Sequence, residues 1–154
     1  MTSAPGATIL ASLSAGLVAG TTNLIAAGAI FGGTLTYGLQ QIASGLFGEA
    51  AFEGGAGLAL LGAGLHYFIS IVAAGLYCAL ALRQRWWRDH RLVGGTLFGV
   101  VAYLAMNLIV VPLSSAPNPD FAPAIIAKEL VAHTVMFGIP IAGIVKLWLR
   151  RSEP

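Results

Sequence analysis

The first 48 residues contain not one Asp, Glu, Lys or Arg. A segment that long with no charge has little with which to face water, and the rest of the chain only partly redresses it. About a quarter of the residues of a soluble domain are charged; in these 154 residues the share is 9%, against 57% hydrophobic. Disorder is excluded as well, because it requires low hydrophobicity and high net charge. The length suits one domain. The sequence therefore reads as a single integral membrane domain over residues 1–154, all-α in class.

A helix needs about 20 apolar residues to cross the roughly 30 Å hydrocarbon core. Four stretches meet that requirement, at about 7–32, 58–82, 92–111 and 123–149. Pro123 suits a first helical turn, where its missing N–H costs nothing, and Pro112 stops the third span. Ser114–Asp120 is rich in turn residues. The first span lacks a basic leader and is longer than the apolar stretch of a signal peptide, about 7–15 residues, so it is expected to be retained. Between the first two spans, residues 34–48 form an amphipathic helix. Leu35, Leu39, Ile42, Leu46 and Phe47 recur at helical spacing, opposite Gln40, Gln41 and Ser44. Such a helix lies in the membrane interface or re-enters and packs on the bundle. The expected fold is a four-helix transmembrane bundle with this additional helix.

The cations cluster. Arg83, Arg85, Arg88 and Arg91 follow the second span, and Lys146, Arg150 and Arg151 follow the fourth. With four spans both groups fall on one side, which the positive-inside rule assigns to the cytoplasm together with both termini. Glu49, Glu53 and Asp120 then lie on the outer side. Trp86, Trp87 and Trp148 flank the basic ends, where indole rings anchor at headgroup level. Arginines between two apolar spans are explained by topology, so no nucleic-acid partner is expected; the lipid bilayer is. Cys78 is the only cysteine and reads as a small packing residue.

Lipid supplies no hydrophobic drive between helices, so close backbone approach must provide contact area. Gly16 with Gly20, Gly28 with Gly32 and Gly95 with Gly99 are GxxxG pairs, and Gly138 with Ala142 is a small-xxx-small pair. They point to tight internal packing and allow a homo-oligomer or a larger membrane complex.

Polar groups inside hydrocarbon are functional candidates by default. At about 1.5 Å per residue, His66 lies about 12 Å and His133 about 14 Å below the outer boundary; Asn23 and Tyr103 fall at about 14 Å and 12 Å. Asn107 is one turn shallower. Glu129 precedes His133 by four residues, the spacing at which two helical side chains meet. Each span thus contributes to one layer in the outer half of the bundle. His66, His133 and Asn107 are expected to face inward, since an unsatisfied polar group in hydrocarbon costs several kcal/mol.

Several functions compete for this layer. It can be interhelical glue, or a small-ligand or proton site with Glu129 and His133 as its titratable pair. It can also be a bis-histidine haem b site using His66 and His133, with Lys128 as the only cation near the propionates. No HExxH or GxSxG occurs, no acidic ring or filter motif is visible, and no catalytic residue or metal is assigned. These signs favour a non-enzymatic polytopic protein, self-associating or accessory to a larger assembly. The alternative is a cofactor or small-ligand protein built on the layer.

Certain blocks carry a likeness. They are Leu39-Gln40-Gln41-Ile42-Ala43-Ser44-Gly45-Leu46-Phe47-Gly48, Ala50-Ala51-Phe52 and Leu61-Gly62-Ala63-Gly64-Leu65-His66-Tyr67-Phe68-Ile69. Met106-Asn107-Leu108-Ile109-Val110-Val111-Pro112-Leu113-Ser114 and His133 with Phe137-Gly138-Ile139-Pro140 continue it. Over about residues 35–145 the chain resembles small four-helix bacterial inner-membrane proteins of the YagU-like kind. The resemblance implies a bacterial inner-membrane location and four helices, and no activity, because that group has none assigned.

Overall fold

The computed structural model describes residues 4–31, 33–118 and 121–151. Gly32 and Asp120, to which the sequence assigns a packing role and an outer-side charge, lie outside the described residues. Helices α1 (Ala4–Phe31), α2 (Leu35–Phe47), α3 (Gly55–Arg83), α4 (Arg85–Asp89) and α5 (Arg91–Ala105) follow in order. α6 (Pro123–Val131) and α7 (Ile139–Arg151) complete the chain. Short 3₁₀ and π stretches join several of them, and no strand occurs among the described residues. Four helical segments are long and apolar enough to span a membrane: Gly6–Ile30, Gly55–Arg83, Arg91–Val110 and Pro123–Arg150.

Only 28–33% of the most apolar stretch of each span is buried inside the protein. The remainder is an apolar exterior: on α3 alone Leu60, Phe68 and Leu76 are 74%, 65% and 60% exposed. So continuous an apolar surface is incompatible with water and suited to lipid.

The interior is built from small residues. Ala7, Ala11, Ala15 and Ala19 form a fully buried row down α1, which lets neighbouring backbones approach. Beside that row, a methyl added at Gly16 would stand 2.5 Å from the Cα of Ile71. α1 and the fourth span are the central pair, with α3 flanking α1 and α5 flanking the fourth span. The α5 contact is a reciprocal glycine crossing: a methyl at Gly95 would meet the Gly138 carbonyl at 2.8 Å, and one at Gly138 would meet the Gly99 nitrogen at 2.8 Å. Gly28 differs from this pattern. Among the described residues nothing lies within 4 Å of where its methyl would be, so Gly28 is not in an internal glycine contact, while its expected partner Gly32 lies outside the described residues.

Helix α2 starts at Thr34, whose side chain accepts the Tyr37 N–H, and stops at Gly48, whose φ of 58° favours glycine. It packs along α3. The side it buries is Leu39, Gln40, Ala43 and Ser44, while Leu35, Tyr37, Leu46 and Phe47 face outward. The buried side thus mixes the two expected faces, with Leu39 buried and Gln41 exposed, and Gln40 explains its polar part. Its amide donates to the Gly55 carbonyl at 3.2 Å and to that of Phe52 at 3.4 Å, so the polar side satisfies backbone where α3 begins. Close contact with α3 is possible because Gly62 lies directly against the Leu39 carbonyl.

At the basic end, the loop expected after the second span contains the short helix α4. Tyr77 donates to the Trp87 carbonyl at 2.9 Å, and the two rings meet edge to face at 5.9 Å. Trp87 is thereby drawn partly against the core. Trp86 stays exposed, stacked on His90. Tyr77 also meets Phe98 at 5.2 Å, joining α3 to α5.

Candidate functional site: a polar layer across four spans

The third and fourth spans both widen into π-helical turns, at Met106–Val110 and Ala132–Gly138. Each stretch ends two residues before a proline, Pro112 or Pro140. A proline ring crowds the carbonyl four residues earlier and provides no N–H for it, and widening the preceding turn relieves the crowding. π-turns recur at functional sites, and here they carry Asn107 and His133.

For Pro140 the carbonyl four residues earlier is that of Met136. It accepts a hydrogen bond from Thr22 Oγ1 on α1. The donor that proline removes within the fourth span is thus supplied by the first. One residue earlier, Thr21 Oγ1 pairs with the Tyr67 hydroxyl on α3 at 3.0 Å.

His66, half-buried on α3, places Nε2 2.8 Å from the Gly20 carbonyl of α1. A carbonyl only accepts, so Nε2 carries the proton and Nδ1 retains the lone pair. Gly20 permits this contact, since a methyl there would meet Ser70 Oγ at 3.0 Å. Ser70, one turn along, donates to the His66 carbonyl at 2.8 Å. His133 has the opposite tautomer: Nδ1 donates to the Glu129 carbonyl at 2.9 Å, leaving Nε2 with the lone pair. Its ring lies edge to face with Tyr103 at 5.6 Å and with Phe137 at 6.3 Å. Asn107 is buried and donates to the Tyr103 carbonyl at 3.2 Å. Asn23 is half-buried on α1, one residue past Thr22.

The layer therefore joins all four spans near His66 and His133. The sequence spacing expects the His133 and Glu129 side chains to meet; the bond formed joins His133 Nδ1 to the Glu129 backbone carbonyl. Sequence reasoning missed Thr21, Thr22 and Tyr67, which tie α1 to its neighbours, and Ser70, which bonds within α3 to the His66 carbonyl. A proline inside an apolar span was the available signal, since it implies a carbonyl in need of a donor.

Bis-histidine haem requires both rings to offer a lone pair to one iron. His66 offers only Nδ1, the nitrogen nearer its own backbone, because Nε2 is bonded to Gly20. As arranged, the pair does not fit that group. Among the described residues, no three His, Cys, Asp or Glu side chains are grouped closely enough to hold a metal ion. Every buried side-chain nitrogen and oxygen of the described residues has a hydrogen-bond partner.

Comparison of the chain with protein-family models, with curated proteins and with solved structures finds no match.

Proposed function

We propose that this chain is a non-enzymatic subunit of the bacterial inner membrane, self-associating or accessory to a larger complex, with both termini in the cytoplasm. One observation carries the reading. The side-chain bonds of the polar layer run to the chain's own carbonyls and hydroxyls, three of them between different spans through Thr21, Thr22 and His66. The layer thus acts as interhelical glue for a bundle with little structure outside its spans. The charge asymmetry supports the orientation, and the YagU-like resemblance supports the location.

The test begins with protein purified in mild detergent. Glue predicts that His66→Ala lowers the melting temperature, that no visible chromophore is present, and that mass measurement finds either an oligomer or a co-purifying subunit. Reporter fusions after Arg88 and at the C-terminus should both report cytoplasm. A Soret band lost in both His66→Ala and His133→Ala would refute the glue reading, and a periplasmic signal from either fusion would refute the orientation.

A second reading, a proton or small-ligand site in the same layer, is favoured by the lone pairs left on His66 Nδ1 and His133 Nε2. A ligand that raises the melting temperature of the wild type but not of His133→Ala would establish it.

A further inference from the structure

The basic end contains a cavity that the polar layer does not use. It is open, measures about 330 Å³, and is lined by Asp89, His90, Arg91, Leu92, Val93, Lys146 and Arg150. These residues come from two places, the junction of α4 with α5 and the last turns of α7. Among the described residues, three cations converge on the space with a single carboxylate, that of Asp89, so the cavity is cationic. The N-terminus of α5 adds to this, because the first N–H groups of a helix carry partial positive charge and favour anions. In size the cavity lies at the lower limit of ligand pockets, about 300–1,000 Å³. It holds a headgroup, not a whole amphiphile.

Its position identifies the ligand class. The second span ends at Arg83, the third begins at Arg91 and the fourth ends at Arg150, so the cavity sits at the level where a bilayer's phosphates lie. Two of its wall residues, Leu92 and Val93, are 59% and 54% exposed, on the part of α5 that enters the membrane. A ligand with a phosphate on the cations and chains over Leu92 and Val93 would satisfy both halves of the surface.

We infer that this cavity is a binding site for the phosphodiester headgroup of an anionic phospholipid. Arg91, Lys146 and Arg150 hold the phosphate, and Leu92 and Val93 receive the start of the acyl chains. Basic pockets between membrane helices bind acidic headgroups in this way. The inference goes beyond the proposed accessory role and requires only that the chain sit in a bilayer.

The test uses the full chain in mild detergent, with phosphatidylglycerol, phosphatidylcholine and inorganic phosphate as probes, read by native mass spectrometry. The wild type should retain one phosphatidylglycerol in preference to phosphatidylcholine, and retention should weaken as salt rises. Each cation removed should weaken binding about fivefold, the worth of one basic residue near an anionic surface. Arg91→Gln with Arg150→Gln should therefore weaken it roughly 25-fold. Arg83→Gln with Arg85→Gln, which removes equal charge outside the cavity, should leave retention unchanged. Equal loss in both double variants would reduce the site to diffuse attraction and overturn it, as would equal retention of phosphatidylcholine. Inorganic phosphate binding as tightly as the lipid would overturn the lipid assignment. Unchanged helical circular dichroism in each variant separates loss of the site from loss of the bundle, and the salt dependence of the wild type tests the site without any substitution.

Discussion

Thr22→Val keeps the shape of the side chain and removes its hydroxyl. The consequence falls on Met136, whose carbonyl receives Thr22 Oγ1 and stands four residues before Pro140. Thr22 has its own nearby carbonyls, Val18 and Ala19, each at 3.1 Å. Those are already served by the helix ladder, so losing Thr22 costs them little. The Met136 carbonyl loses a donor that the N–H missing from Pro140 cannot replace. Interhelical hydrogen bonds in membrane proteins are worth about 0.6 kcal/mol on average and about 1.7 kcal/mol at most. The substitution should fall toward the upper end, about 1–1.5 kcal/mol, because proline has removed the backbone alternative. The assay is reversible unfolding in mild detergent, run as a double-mutant cycle with Pro140→Ala. Alanine restores an N–H that can reach Met136 at α-helical spacing, so in that background Thr22→Val should cost at most a few tenths of a kcal/mol. An identical cost in both backgrounds would refute the claim that the threonine compensates for the proline.

Glycine substitutions should divide by position. Gly99→Ala drives a methyl into the backbone of His133 and Thr134, so it should separate the third and fourth spans and lower the melting temperature sharply. Gly28→Ala meets nothing within 4 Å and should stabilise α1 by up to about 1 kcal/mol through helix propensity; the same melting measurement checks both. Gly62→Ala should lift α2 from α3, read as faster hydrogen exchange confined to residues 35–47. Tyr77→Phe removes the bond to the Trp87 carbonyl and should cost about 0.5–1.5 kcal/mol, with Trp87 fluorescence shifting to the red as the ring moves toward water.

The amino-acid sequence by itself determined the solvent. Four apolar runs with charges confined to their ends allow few arrangements in which backbone polar groups are satisfied and side chains are not stranded. Four apolar runs followed from length and charge, and the described residues contain four helices long and apolar enough to span a membrane. That Gly95 with Gly99 and Gly138 with Ala142 form small faces suited to close packing was also legible, because only small residues allow two backbones to meet; that these two faces meet each other was not. Tertiary structure alone decided which faces meet. The pattern of α2 marks an apolar and a polar side without saying which side touches protein. Hydrocarbon outside the bundle and two needy carbonyls at the start of α3 turned Gln40 inward and Leu35, Leu46 and Phe47 outward. The same applies to the polar layer. Depth could be counted along each span, but the partners of His66, Thr22 and Asn107 depend on how each helix is rotated about its axis. Spacing within one helix carries no information about that rotation; it is set when several small-residue faces pack at once.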